Sequence, residues 1–367
     1  MGRRIRAAGK PDYVIVACLA FLILFGLVML ASASSYLGKT KFDDSYYFLK
    51  HQLTYGLLLG IVGFLITSRI YYRYYEKIAL YLLLFSILLL ILVFTPLGLE
   101  ASGAERWLNL GPISFQPAEL LKITFVIYLA AWLSNNMQRP KSFWSGFVPF
   151  LVVCAIISGL LLKQPATSSV AILMAVALIL YFVSGAKLSH ILGTVILGLL
   201  ILAIIIYITP YRFSRISNFL NQDADPLAGG YQLNQALIAI GSGGLWGVGY
   251  GQSTTKIHYL PEPIGDSIFA VIAEELGFAG AIVFIGALIF LIIRMLLLVK
   301  TTPDMLSRLI IIGFASIIAI QAFVNMAAMT GLIPLTGTPL PFVSYGGTAL
   351  AIFMTMGGIV VNISKYS

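Results

Sequence analysis

Glu262, Asp266, Glu274 and Glu275 fall within one stretch, Lys256 to Gly277, that runs from a polar loop straight into a hydrophobic segment. A carboxylate at the edge of an apolar span marks a functional-site hypothesis, because burying it is costly without a purpose or a partner. Held within hydrogen-bond reach of a hydroxyl, such a group can act as general base. Asp266 follows Leu260-Pro-Glu-Pro-Ile-Gly and opens the apolar run, so a helix N-cap is the competing reading. Glu274 lies eight residues on, about 2.2 helical turns, near the same face and deeper; Glu275 turns away by about 100°. Both glutamates also fit as structural partners of other helices. Of the four carboxylates, Asp266 is the one placed to meet a substrate on the outer side.

A second cluster runs from Gly103 to Lys122. Glu119 and Lys122 are three apart on a helix and can pair with each other, a pairing that would be purely structural or part of a site. Arg106 beside Trp107 fits a phosphate or headgroup contact, since guanidinium offers a planar donor fork; it fits an interfacial aromatic belt as well. Arg212, Arg215 and Lys256 place further cations in one long outer loop, which points to an anionic ligand such as a diphosphate. Ser344-Tyr-Gly-Gly347, before the last helix, reads either as a cleft wall or as a simple helix-entry turn. Asn325 sits in an apolar span and reads as helix glue. His51, His190 and His258 are dispersed, so metal ligands are not assignable.

The elements that must position these groups are transmembrane. Hydrophobic residues make up 59% of the 367 and charged residues 10%, against about a quarter charged in soluble domains. Apolar runs near the 20 residues that cross roughly 30 Å of hydrocarbon recur at about 13–32, 49–68, 77–94, 117–134, 144–162, 168–185, 190–208, 267–293, 308–328 and 347–363. The expected fold is therefore an all-α polytopic membrane protein of ten spans in a single domain, 1–367. Of the 23 basic residues, 14 fall on the terminal side, 8 opposite and Lys122 within a span, which places both termini in the cytoplasm. The net charge of +9 is scattered over short loops. Anionic lipid headgroups suit it better than nucleic acid.

Met1–Lys10 leads into an apolar run too long for a signal-peptide core and reads as a retained first helix. Cys18 and Cys154 fall in spans and read as small hydrophobes. The outer segments, about 33–48, 95–116, 209–266 and 329–346, are long and rich in Gly and Pro, a composition for tight turns. Within 209–266, Gln232–Gly241 is apolar but too short to span, so a re-entrant or interfacial helix is expected there. Gln116-Pro-Ala118 and Gln164-Pro-Ala166 each place Pro in a first helical turn. No 20–50-residue period repeats, which excludes a solenoid.

Read together, Pro11-Asp-Tyr, Ser32-Ala-Ser, Glu105-Arg-Trp, Gln116-Pro-Ala-Glu, Tyr259-Leu-Pro-Glu, Glu274-Glu-Leu-Gly and Pro339-Leu-Pro-Phe-Val-Ser-Tyr-Gly-Gly347 resemble the SEDS family of shape, elongation, division and sporulation proteins, which includes FtsW, RodA and SpoVE. The run from Phe219 to Gln232, with Gly241-Ser-Gly-Gly244, is most similar to the division branch, FtsW. The resemblance implies a peptidoglycan glycosyltransferase that polymerises lipid II at the outer face of the bacterial cytoplasmic membrane, at the septum for the division branch. It implies a class B penicillin-binding protein of FtsI type as partner and FtsQ, FtsL and FtsB as regulators. Asp266 matches the family's essential loop aspartate, and Glu119 and Lys122 its acidic and basic pair. Two departures stand out: Ala166 replaces a familiar Asp, and Gly265-Asp-Ser267 stands where Thr-Asp-Phe is common.

On this reading Asp266 is the general base of an inverting transfer, with Glu262 and Ser344 lining the substrate cleft. The cations Arg106, Lys122, Arg212, Arg215 and Lys256 would offset the departing diphosphate. A divalent cation, Mg²⁺ or Mn²⁺, is a candidate helper, and no organic cofactor is implied. Two other classes compete: a lipid II flippase, and a non-catalytic scaffold that activates a transpeptidase.

Overall fold

The computed structural model describes residues 9–101, 104–109, 111, 114–220 and 230–367. Arg3, Arg4, Arg6, Gly103 and residues 221–229 of the division-branch run lie outside the described residues. In chain order the helices are α1 Tyr13–Phe42, α2 Tyr47–Arg69, α3 Arg73–Leu92, α4 Pro117–Ser134, α5 Phe143–Lys163, α6 Thr167–Val183, α7 Leu188–Ile208, α8 Pro210–Leu220, α9 Tyr231–Ser242, α10 Thr255–His258, α11 Ile268–Leu298, α12 Met305–Met329 and α13 Gly347–Ser364. Between α3 and α4 lie strands β1 Gly98–Ala101, β2 Ala104–Asn109 and β3 Ser114–Phe115.

This is a polytopic helical membrane protein. Among the described residues nine helices are long and apolar enough to cross a membrane, while α6, expected as a span, is a shorter apolar helix. Its 17 residues rise about 26 Å, the lower end of the range of roughly 17–25 residues for a crossing helix. Burial separates a central pillar from a lipid-facing rim. The most apolar window of α4 is 78% buried and that of α13 72%, whereas nothing in the window of α7 is buried. Polar residues can therefore be sequestered on α4, α12 and α13 without meeting lipid, and the site's inner groups sit on these helices. Cys154 is buried and Cys18 partly so, both as free thiols.

Three of the segments between spans carry more regular structure than their Gly and Pro content suggests. Helix α1 runs on to Phe42 and stops at Asp43, a left-handed C-cap with φ 54°, a conformation that Asp tolerates better than most residues. Segment 95–116 folds into a three-stranded antiparallel sheet, with Leu99 opposite Trp107 and Leu108 opposite Phe115. The long segment 209–266 holds α8, α9 and α10. The expected short helix is α9, which packs on α11 and α12 through Leu233, Ala236 and Ala239.

Helix α11 is broken at Gly277, where φ is 65° and ψ −169°. The glycine-rich loop after α9 fills the break. Val248 and Gly249 donate their N–H groups to the carbonyls of Glu274 (3.0 Å) and Glu275 (3.1 Å), and the N–H groups of Phe278 and Ala279 donate to Gly244 (2.9 Å) and Leu245 (3.1 Å). Four backbone groups orphaned by the break are thus satisfied by one loop, as irregular backbone at membrane depth requires. A Cβ on Gly277 would lie 2.2 Å from the Gly247 nitrogen. Gly277→Ala is therefore expected to expel the loop and lower thermal stability by about 1–3 kcal/mol or more, readable as a fall in Tm of the purified protein.

Candidate active site at the Asp266 turn

Residues 260–267 form an irregular turn ahead of α11. Ser267, not Asp266, takes the cap position, so the aspartate side chain is not spent on the helix. Three contacts hold the turn around it, two of them to its backbone. Asn325 Nδ2 donates to the Asp266 carbonyl at 2.8 Å, Ser344 Oγ donates to the Gly265 carbonyl at 2.7 Å, and Gln232 Nε2 donates to Ser267 Oγ at 3.1 Å. The N–H of Tyr345 adds a bond to the Ile264 carbonyl at 2.8 Å. The carboxylate itself accepts no hydrogen bond from another residue among the described residues. Its Oδ2 faces the backbone at Gly337 (φ +64°), where an added Cβ would come within 3.6 Å.

Burial pushes the Asp266 carboxyl above its ordinary value. Its own N–H offsets part of the rise, the nearby Glu262 charge adds to it, and Arg215 draws it back down. Desolvation with one carboxylate and one guanidinium in range is the environment of a tuned acid–base group. Glu262 is exposed and holds the turn through its own carbonyl, which accepts from Gly265 and Ser267. Arg215 also donates to the Leu335 carbonyl at 3.0 Å, which ties α8 to the segment that carries Gly337 and Ser344. Asp266, Glu262, Arg215 and Ser344 are thus brought together.

Glu119 and Lys122 lie one layer inside. Lys122 Nζ donates to Glu119 at 2.6 Å and to Gln321 Oε1 at 2.8 Å, and Gln321 Nε2 donates to the Pro339 carbonyl at 2.8 Å. Lys122 is 2% exposed. Its charge is used by Glu119 and its reach ends at the loop backbone, so it supports the site rather than facing an outer ligand. Arg106 stands at another corner, donating to the Gln164 and Pro165 carbonyls at 3.0 and 2.8 Å, next to Ala166. Arg212 donates to Thr209 Oγ1 at 3.2 Å.

Lys256 departs from the expectation of an outer anion contact. It is 4% exposed and pairs with Glu275 while donating to Ser32 Oγ at 2.8 Å and the Gly251 carbonyl at 3.1 Å. Glu274 receives Ser253 Oγ at 2.6 Å, Thr255 Oγ1 and the Thr254 N–H. Burial of a charge without a partner is too costly here, so both glutamates serve as anchors for the loop that seals the α11 break.

Gln321 and Asn325 were not among the expected site residues. Two amides four apart on α12 share one face, and that spacing in an apolar span was the available signal. Asn325 is more than glue between helices, since its Nδ2 also donates to the Thr338 carbonyl at 2.7 Å and so holds both sides of the cleft. Asn325→Ala would leave two backbone carbonyls short of a donor, at about 1–3 kcal/mol for each that stays dry. A lower Tm, with Tyr-rich regions elsewhere unchanged in hydrogen exchange, is the expected outcome; faster exchange should be confined to 260–267 and 333–345.

The cell cycle protein family of FtsW, RodA and SpoVE matches residues 12–367. The chain belongs to this family. Among FtsW relatives, the probable peptidoglycan glycosyltransferase FtsW of Trichlorobacter lovleyi is 41% identical, over 96% of this chain and 93% of its own length. The stage V sporulation protein E of Bacillus subtilis is 36% identical over 98% of each. Solved structures agree with the FtsW/RodA/SpoVE fold. A chain of a peptidoglycan synthase complex that coordinates polymerization and crosslinking superposes with a TM-score of 0.80 at 27% identity, covering 96% of this chain and 97% of that one. The rod shape determining protein RodA of Thermus thermophilus gives 0.72 at 28% identity, covering 96% of each.

Proposed function

We propose that this chain is a peptidoglycan glycosyltransferase that polymerises lipid II, with Asp266 as general base. The observation that carries this reading is the Asp266 turn: its backbone is pinned by Asn325, Ser344 and Tyr345, while its carboxylate accepts from no other described residue, is desolvated and is raised in pKa. The names of the FtsW relatives support the same activity.

In the transfer, the acceptor sugar's 4-hydroxyl attacks the anomeric carbon of the polyprenyl-diphosphate-linked donor. The new C–O bond forms as the bond to the diphosphate breaks on the opposite face, which inverts the configuration. The hydroxyl proton goes to Asp266 and then to water. Arg215, with Arg212 on the same helix, offsets the negative charge that develops on the diphosphate, and Arg106 is a further contact for the lipid headgroup. No group of three metal-ligating side chains occurs among the described residues. Glu262, exposed at the turn, would be the carboxylate to hold Mg²⁺ or Mn²⁺ together with substrate phosphates, leaving Asp266 as the base; such an ion would supply charge neutralisation.

The finer reading puts both termini in the cytoplasm, the Asp266 turn at the outer face of the cytoplasmic membrane, and the protein at the division septum. An FtsI-like class B penicillin-binding protein is its transpeptidase partner, with FtsQ, FtsL and FtsB as regulators. Proteoliposomes loaded with labelled lipid II test the activity. Glycan strands are the expected product; labelled lipid II that changes leaflet with no strand formed would favour a flippase, and neither signal with the transpeptidase bound would favour a scaffold.

A further inference from the structure

Tyr345, whose N–H bonds to the Asp266 turn at the Ile264 carbonyl, also lines a crevice of about 190 Å³ that none of the roles above uses. Its wall is aromatic: His51 and Tyr55 on α2, Trp107 on β2, Phe115 on β3 and Tyr345 on the cleft segment, with Thr348 at the start of α13. Two features of local structure build it. The first is a π-helical stretch, Gln52–Leu58, that widens α2 where the crevice opens; such bulges recur at functional sites. The second is close backbone contact between α2 and α13, where a Cβ on Gly56 would meet Gly347 Cα at 3.2 Å. The outer sheet closes the other side.

We infer that this crevice is a saccharide subsite, holding one pyranose ring of the growing strand next to the unit undergoing transfer. The inference rests on the polymerase reading and extends it. Four points favour a sugar ring. The aromatic faces offer apolar platforms, while Tyr345 OH and His51 Nδ1, 2.9 Å apart, and the Thr348 hydroxyl supply polar groups at its edge, the mixture that a ring with one apolar face and a rim of hydroxyls requires. Among the described residues no Lys, Arg, Asp or Glu lines the crevice, so a diphosphate would find no countercharge from them. Its volume lies below the 300–1,000 Å³ of sites that enclose drug-sized ligands, which suits one ring and not a whole lipid-linked disaccharide. Finally, the wall of the crevice is tied to the turn that carries the reacting centre. Tyr345 lines it and bonds to the Ile264 carbonyl, and two peptide steps limit the Cα separation of Ile264 and Asp266 to about 7.6 Å.

Binding to the full-length protein in nanodiscs provides the test. The probe is a fluorescently labelled β-1,4-linked N-acetylglucosamine tetramer, titrated into wild type, Trp107→Ala, Trp107→Phe and Tyr55→Leu. The inference predicts binding about tenfold weaker for Trp107→Ala and Tyr55→Leu than for wild type, and recovery to within about threefold for Trp107→Phe. Tyr55 lies on the wall opposite the sheet, so Tyr55→Leu reports on the crevice even if Trp107→Ala disturbs the sheet. Unchanged affinity in both truncations, no binding by wild type, or displacement of the tetramer's signal at Trp107 by undecaprenyl phosphate alone would each overturn it. Because the readout is binding and not strand synthesis, its failure is separable from failure of the polymerase reading, which is read as strands formed by wild type.

Discussion

Asp266→Asn is expected to abolish strand synthesis and at the same time to raise the Tm of the protein at neutral pH. Loss of a general base costs about 10²–10⁴-fold in rate. The stability effect follows from the sign of the pKa shift. Burial, reinforced by Glu262, raises the Asp266 carboxyl in the folded state, so the fold favours the protonated form. That contribution to stability is fully present below the unfolded carboxyl pKa of about 3.9 and is lost as pH rises through the raised folded value. At neutral pH the folded protein carries an unfavourable carboxylate, which Asn removes while keeping the shape. The Tm difference between variant and wild type should therefore be largest at neutral pH and shrink on acidification. Activity runs the other way: a base must be ionised, so the wild-type rate should fall on an acidic limb displaced above the ordinary carboxylate range. Arg215→Gln, which removes the cation that opposes the shift, should move that limb further up.

The second large effect belongs to the loop anchors. Glu275 accepts Ser32 Oγ at 2.6 and 2.7 Å, the Gly251 N–H at 3.0 Å and the Lys256 ammonium, with both charged residues nearly without solvent contact. Glu275→Leu leaves Lys256 charged and unpaired in the interior, a change that costs about 3–5 kcal/mol. The double variant Glu275→Leu with Lys256→Met removes both charges and should recover most of the loss. Thermal unfolding of the two single variants and the double supplies the coupling. If the double were no more stable than Glu275→Leu alone, the buried pair would not be what holds the loop.

The span pattern was legible because hydrocarbon imposes length and composition on every crossing helix, and Asp266 was legible because a carboxylate after Pro and Gly interrupts that pattern. The inward turn of Lys256 was not. Its partners are Glu275, 19 residues away, and Ser32, 224 residues away, and no local signal couples positions so distant in the chain. The break at Gly277 was hidden for a similar reason: a single Gly in an apolar run is tolerated in a straight helix, and only the insertion of the loop at Gly247 gives it a broken one. The sheet over 98–115 was concealed by Gly and Pro, which read as turns while the intervening Leu-Glu-Ala and Glu-Arg-Trp-Leu segments paired. Gln321 and Asn325 lay in between. Their types showed that each needed partners, but apart from Lys122 the partners are backbone carbonyls of Pro339, Thr338 and Asp266, which carry no sequence signature.

The role of Asp266 is tested most directly by following purified lipid II in one bilayer preparation with the transpeptidase partner bound, comparing wild type with Asp266→Asn after both are shown folded by their Tm. Glycan strands from wild type and none from the more stable Asn variant are the predicted result. Strands from Asp266→Asn at the wild-type rate would contradict the assignment of this carboxylate as the base.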